Sequence, residues 1–204
     1  MADILFGTTD AGSIMNDVHQ SSSDNDAPHP VPQPNQSAST AAHRAAAPDS
    51  VAAAVLTVSD TRTTETDTSG RLILDGLAAN GHGVVDYRIV PDDPDTIRAI
   101  LADWVADDRI AAILTNGGTG ISRRDTTYDV VAGLLDKRLD GFGELFRMLS
   151  YQEIGAAAML SRAVAGVHQR TLVMTMPGSR NAVALALERL ILPELAHLVY
   201  EATR

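Results

Sequence analysis

The apolar run Ile110-Ala-Ala-Ile-Leu-Thr115 opens directly into Asn116-Gly-Gly-Thr-Gly120, and a carboxylate follows at Asp125. A buried strand, a glycine turn and an acid in that order form the layout of a phosphate-handling site. Glycines leave the backbone bare, so N–H groups around Thr115, Gly117, Gly118, Thr119 and Gly120 can converge on phosphate oxygens. A carboxylate repels that phosphate unless a cation stands between them, and a hard divalent ion such as magnesium bridges the two through oxygen ligands. A second turn of small residues, Pro177-Gly178-Ser179, opens a helix where backbone N–H groups again favour an anion. Ser59-Asp60 and Pro91-Asp92 end two other apolar runs. Asp92 and Asp125 are therefore expected just beyond two strand ends that are neighbours in one sheet, with their carboxylates over one cavity.

Each of these features has a plainer alternative. Glycine turns a chain without binding anything. Asp92 is placed to cap the helix that Pro94 begins, as is Asp93, and Asp125 to cap one beginning at Thr126. Arg123 and Arg124 flank the turn and either neutralise phosphate charge or stay solvated, and Ser161-Arg162 carries the same two readings. The dinucleotide fingerprint is not satisfied, because Arg123 stands where helix packing needs Gly or Ala, and no Gly-Lys-Ser/Thr follows for a P-loop. The coincidence of two acids with two anion-binding turns favours a metal–nucleotide site.

The elements that must position these residues alternate from Val51 onward. Residues 51–59 form a continuous apolar run, as for a strand covered on both faces. A helix is expected over 69–80, with Thr68 or Ser69 as N-cap and Gly81 as stop, then a strand over 84–90. Asp93-Pro94 opens a helix in which Ile97, Ile100, Leu101, Trp104 and Val105 recur at helical spacing. After the strand at 110–115, helices are expected over 126–135, 144–154 and 156–161. Runs at 164–167 and 171–176, joined by His168-Gln169-Arg170, suit a hairpin. A last helix begins near Arg180 and is interrupted at Pro193. Phe142, Phe146, Met148 and Leu149 suit the core or a subunit contact. This alternation predicts a three-layer α/β/α sandwich with a mostly parallel, mixed sheet. Ligands of such sheets sit at the carboxyl ends of the strands, where the candidate turns lie.

Composition divides the 204 residues in two. Residues 1–49 are rich in Ser, Ala, Pro and Asp with only isolated apolar residues, and predict a disordered tail outside a domain at 50–204. They lack the basic start and apolar core of a secretory signal. The formal net charge of −10, without a Lys/Arg cluster, argues against a nucleic-acid partner. The absence of cysteine removes disulfides and thiolate metal sites, and the six histidines show no ligand spacing. No apolar run approaches the roughly 18 residues of a membrane span. A cytoplasmic protein is expected.

With these residues in hand, the chain resembles the MoaB/Mog family of molybdenum cofactor biosynthesis proteins. The resemblance runs from about Val55 to the C-terminus through Leu56-Thr-Val-Ser-Asp60, Asp67-Thr-Ser-Gly70, Ile89-Val-Pro-Asp92, Thr115-Asn-Gly-Gly-Thr-Gly120, Gly141-Phe-Gly-Glu-Leu-Phe-Arg-Met-Leu-Ser150, Leu160-Ser-Arg-Ala-Val-Ala-Gly166 and Met176-Pro-Gly-Ser179. It implies the family's fold, a homotrimer or trimer-based hexamer, and use of Mg-ATP to place AMP on the terminal phosphate of molybdopterin. It also implies catalytic, magnesium-holding roles for Asp92 and Asp125. Gly117, Gly118, Thr119, Gly120, Pro177, Gly178 and Ser179 would line the nucleotide or pterin phosphate site, with Ser59, Asp60, Ser161 and Arg162 as further candidates. A molybdate-insertion enzyme is the protein partner implied. Two alternatives stay open: a catalytically silent oligomer that binds or delivers the pterin, and a partner-docking role for the tail.

Overall fold

The computed structural model describes residues 38–204, and its helices and strands alternate as the apolar pattern requires. Helix α1 (Ala38–Ala46) comes first, followed by β1 (Ala52–Val58), α2 (Thr68–Ala79), β2 (Gly83–Val90) and α3 (Pro94–Val105). Then come β3 (Ala112–Asn116), α4 (Thr127–Leu134), the two-residue β4 (Lys137–Arg138) and α5 (Asp140–Ile154). A 3-10 segment (Gly155–Leu160) leads to the hairpin of β5 (Val164–His168) and β6 (Thr171–Met176). Helix α6 (Arg180–Ala186) widens into a π-helical turn (Leu187–Ile191) before α7 (Leu195–Thr203).

The six strands form one sheet in the order β2-β1-β3-β6-β5-β4. Strands β2, β1, β3 and β6 run parallel, while β5 is antiparallel to β6 and β4 to β5. Side chains on a strand alternate between faces, which sorts the buried residues of β1 and β3 into two cores. Ala53, Val55, Ala112 and Leu114 pack with Ile73 and Leu77 of α2, Phe146 of α5, Val183 of α6 and Leu195 of α7. Ala54, Leu56 and Ile113 pack with Ile97, Leu101 and Trp104 of α3 and Val130 and Val131 of α4. Helices thus cover both faces, the three-layer sandwich that the alternation predicts.

Register then fixes where the loops meet. Val58 pairs with Val90, Thr57 with Asn116, and Asn116 with Met176, so the parallel strands end level with one another. Ser59, Pro91, Gly117 and Pro177 leave from the same rim of the sheet. From β1 the chain moves out to β2 and then crosses back to β3 on the other side, so the direction of winding changes at β1. Such a switch point opens a crevice at the strand ends.

The structure departs from the sequence reading at several points. Strand β1 lies between β2 and β3, so the strands preceding Asp92 and Asp125 are not neighbours. The cap of α2 is Asp67, which accepts from the Gly70 N–H at 2.8 Å, while the Ser69 hydroxyl donates to the Gly178 carbonyl at 2.9 Å. Helix α5 starts at Asp140 instead of 144, because Gly143 serves close packing: a Cβ there would lie 2.6 Å from the Ala163 carbonyl oxygen. Residues 38–46, placed by composition in the tail, are helical; Ala41, Ala42 and Ala45 favour helix strongly, and Pro48 follows the stop. The rest of the expected tail lies outside the described residues. Among those described, no helix is long and apolar enough to cross a membrane.

Candidate functional site

The glycine turn after β3 is held from below by the strand ends. Gly117 and Gly118 take φ of +93° and +62°, a region that L side chains rarely adopt. The Gly117 N–H donates to the Met176 carbonyl at 3.1 Å, and a Cβ on Gly117 would fall 2.2 Å from the Val58 carbonyl oxygen. The turn therefore sits on the end of β1, at the switch point. Its carbonyls face its supports: Gly118 accepts from the Thr127 N–H at 3.0 Å, Thr119 from Arg162 Nε at 2.8 Å, and Gly120 from Arg162 Nη2 at 2.7 Å. Among the described residues no protein acceptor takes the N–H of Gly118 or Thr119. Two adjacent unpaired donors are what an anion-binding nest requires.

Two carboxylates flank this turn, one against each of its outer glycines. A Cβ on Gly118 would meet Asp92 Oδ2 at 2.4 Å, and one on Gly120 would meet Asp125 Oδ2 at 2.6 Å. Asp92 reaches across the site to the start of α4, accepting from the Thr126 hydroxyl at 2.6 Å and its N–H at 3.2 Å. Asp93 caps α3 through the Thr96 N–H at 2.8 Å, which leaves Asp92 free for that reach. Asp125 turns back on its own loop and accepts from the Ser122 N–H at 2.9 Å. Hydrogen bonding from Ser122 and Gly120, with the Arg162 charge, holds its carboxyl below the usual carboxylate range against the opposing effect of burial. Each carboxylate thus lies against its own glycine of the loop, although their strands are not adjacent.

The remaining candidates separate. Asp60 accepts from the Asp92 N–H at 3.2 Å and pairs with Arg124, and the Ser59 hydroxyl closes its own turn by accepting from the N–H groups of Thr61 and Arg62, each at 3.3 Å. Ser59 and Asp60 line a concavity of about 440 Å³ with Arg62, Tyr87 and Pro91. Ser161, Pro177 and Ser179 line another, of about 520 Å³, with Ser150, Leu160 and Arg180. The loops bounding the two concavities touch where Gly178 lies against Gly117, close enough that a Cβ on Gly178 would be 2.9 Å from Gly117 Cα. Thr115 is fully buried inside β3, which removes its side chain from the rim. Arg162 lies 4.5 Å from the Tyr128 ring centroid and 3.3 Å from Asp129, so its guanidinium buttresses the turn.

Sequence reasoning missed a polar chain that braces the site from behind. Asn116 Nδ2 donates to Thr57 Oγ1 at 2.8 Å, and Asp67, only 3% exposed, accepts from the Tyr87 hydroxyl at 2.6 Å. Gly70 lets these groups close: a Cβ there would lie 2.1 Å from Asp67 Oδ2 and 2.7 Å from Thr57 Oγ1. Burial pushes the Asp67 carboxyl up, but hydrogen bonds from Thr57, Tyr87 and the Gly70 backbone outweigh it and hold it low. The Asp67-x-x-Gly70 spacing was the available signal, since Asp three residues before a helical N–H is a cap. Arg180 was also missed, although it directly follows the cap of α6.

This architecture and its residues have known counterparts. The family model described as "Probable molybdopterin binding domain" matches residues 54–197. The molybdenum cofactor biosynthesis protein B of Bacillus cereus is 51% identical over 164 residues, covering 79% of this chain and 96% of that protein. Its Bacillus subtilis namesake is 51% identical over 160 residues, covering 78% and 94%. A crystal structure of molybdenum cofactor biosynthesis protein B superposes with a TM-score of 0.74 at 50% identity, covering 76% of this chain and 98% of that one. The tungsten cofactor synthesizing protein MoaB from Pyrococcus furiosus gives a TM-score of 0.70 at 38% identity, covering 78% and 100%. With the sheet, the glycine turn and its flanking acids in place, the chain belongs to the MoaB/Mog family of molybdenum cofactor biosynthesis proteins.

Proposed function

We propose that this chain is a molybdopterin adenylyltransferase, which transfers AMP from Mg-ATP to the terminal phosphate of molybdopterin and releases pyrophosphate. One observation carries the reading: the turn at Gly118–Gly120 has its carbonyls tied to Thr127 and Arg162, leaves the Gly118 and Thr119 N–H groups without a protein acceptor, and is flanked by Asp92 and Asp125. In the reaction, a phosphate oxygen of the pterin attacks the α-phosphorus of ATP. The bond to the bridging oxygen of pyrophosphate breaks, and pyrophosphate leaves with the electron pair. No general base is needed, because a phosphate monoester with a second pKa of about 6 is already largely ionised at neutral pH. The protein's share is positioning and fixed dipoles, which lower the barrier without reorganising.

Asp92 and Asp125 are the residues that would hold the magnesium accompanying ATP. Among the described residues, Asp60, Asp92 and Asp125 do not bring three ligand atoms within 4.8 Å of one another. That donor set still suits magnesium, which takes one or two carboxylates and completes its shell with phosphate oxygens and water. When bound, the ion neutralises charge on the phosphate oxygens. The 520 Å³ concavity, with Ser179 and Arg180 at its wall, offers donors to the second phosphate-bearing substrate. A cytoplasmic enzyme that passes its product to a molybdate-inserting enzyme completes the proposal.

The proposed assembly is a homotrimer or trimer-based hexamer. Leu145, Met148, Tyr151 and Ile154 recur at every third residue along α5 and are exposed, as are Met159 and Leu160 of the 3-10 segment. A contiguous apolar face of that kind marks a protein contact. Incubating the protein with molybdopterin, ATP and Mg²⁺ should release pyrophosphate and give an adenylylated pterin detectable by mass. Pterin binding without pyrophosphate release would favour a silent carrier instead, a reading supported by a family description that names binding alone.

A further inference from the structure

On the outer face of α7, away from the strand-end loops, three metal-ligating side chains converge that sequence spacing does not reveal. His197 and Glu201 stand at i and i+4 of α7 and so share a face. His43 reaches them from α1, whose helix packs on α7. One ligand atom from each of the three lies within 4.8 Å of the other two, and His43 Nδ1 is 2.9 Å from Glu201 Oε1. A tetrahedral zinc ion with bonds of about 2.0–2.1 Å separates its ligands by roughly 3.3 Å, so small side-chain rotations would complete the geometry. His197 Nδ1 contacts Glu194 Oε2 at 2.9 Å, and a carboxylate on one ring nitrogen orients the other toward a metal. Glu194 is fixed in turn by Arg44 of α1.

We propose that His43, His197 and Glu201 bind a zinc-class divalent cation that clamps α1 onto α7. Two imidazoles and one carboxylate suit borderline first-row ions and not magnesium, which prefers all-oxygen shells. The competing occupant is visible: Arg204 Nη1 lies 3.4 Å from His43 Nε2 and 3.3 Å from Glu201 Oε1. Its side chain is more than half exposed, free to swing into water when a cation arrives. The fourth coordination position, open to solvent, takes water. The clamp has a structural purpose, because the ion pairs His43–Glu201 and Arg44–Glu194 that link α1 to α7 and its N-cap are about one third exposed, and such pairs stabilise little.

The test uses the untagged full-length chain, stripped with a chelator and titrated with ZnCl₂ at neutral pH in the presence of millimolar Mg²⁺. One zinc per chain is expected, with His43→Ala and His197→Ala each weakening binding at least tenfold, and with His19→Ala and His29→Ala binding like the parent. Glu201→Gln, which preserves size, should also weaken zinc binding, and circular dichroism confirms that each variant is folded. Bound zinc should slow proteolysis between α1 and β1, and the slowing should vanish in His43→Ala. Zinc affinity no greater in the parent than in His43→Ala, or a zinc stoichiometry that follows the tail histidines, would overturn the proposal.

Discussion

Asp92 holds two jobs that different substitutions separate. It accepts from Thr126 at the start of α4 and lies against Gly118. Asp92→Asn keeps an oxygen for Thr126 but loses the charge, whereas Asp92→Ala loses both. Both variants should fail to release pyrophosphate, but only Asp92→Ala should also lose the roughly 0.5–2 kcal/mol of a helix cap, readable by urea denaturation. Full turnover in Asp92→Asn would reduce this residue to a cap. Asp125 bonds only within its own loop, so Asp125→Asn should drop turnover on the order of 10²-fold or more with little change in melting temperature. Gly118→Ala combines two insults: φ of +62° and a Cβ 2.1 Å from Thr127 Oγ1. It should cost upwards of about 1 kcal/mol in stability and push Asp92 aside, so that activity falls in parallel. These glycines and acids were legible in the sequence because turn chemistry and charge are local. The sequence reading placed the two acids beyond neighbouring strands, whereas β1 lies between β2 and β3. Each carboxylate reaches its own glycine of the turn, Asp92 from the end of β2 and Asp125 through the loop between β3 and α4.

At the scale of elements, the start of α2 is the joint between sheet and site. Tyr87 on the edge strand β2 donates to Asp67, which caps α2, and Ser69 in the first turn of α2 holds the Gly178 carbonyl. Burial and the neighbouring Asp67 push the Tyr87 hydroxyl up to about 12. A folded-state value above the free value of about 10 means stability that is full below pH 10 and lost as pH rises toward 12. Asp67 behaves in the opposite sense: its depressed value gives stability present above about 3.8 and lost as pH falls through the folded-state value. Tyr87→Phe should cost about 1.5–3 kcal/mol at pH 7, as for a hydrogen bond to a charged group. It should also erase the alkaline loss between pH 10 and 12 and move acid unfolding to higher pH, all measurable by urea titration across pH. An unchanged alkaline limb would break the link. Sequence offered only the Asp67-x-x-Gly70 spacing toward this joint, because Asp67, Thr68 and Ser69 all make credible caps and only the approach of Thr57 and Tyr87 selects among them. The strands and most helices were legible because a buried strand is a continuous apolar run and α3 repeats at helical spacing. The two-residue β4 carries no such pattern, and α1 is helical by alanine content that reads equally as low complexity.

Across the described residues, the two cores leave an apolar surface of α5 and the 3-10 segment unburied. Along α5 the chain buries Phe142, Phe146 and Leu149 against the sheet, while Met148 is 51% and Tyr151 64% exposed on its other side, and Met159 beyond it reaches 80%. A helix that is apolar on both sides belongs between two layers, and the described residues of one copy supply only one of them. The 520 Å³ concavity shares Ile154 and Leu160 with this surface, so assembly and the second substrate site are physically continuous. Met148→Glu with Tyr151→Glu would place two carboxylates in the desolvated centre of the proposed contact, where unpaired charge costs several kcal/mol. In solution the parent should scatter light as a multiple of the 21.6 kDa chain, and the double variant as one chain. Because both positions are exposed, the fold should survive, with circular dichroism and urea midpoint close to those of the parent. Pterin affinity should fall along with assembly, since the shared wall loses its neighbour. A double variant that stays oligomeric would place the contact elsewhere, and one that becomes monomeric with undiminished pterin binding would separate the concavity from the interface.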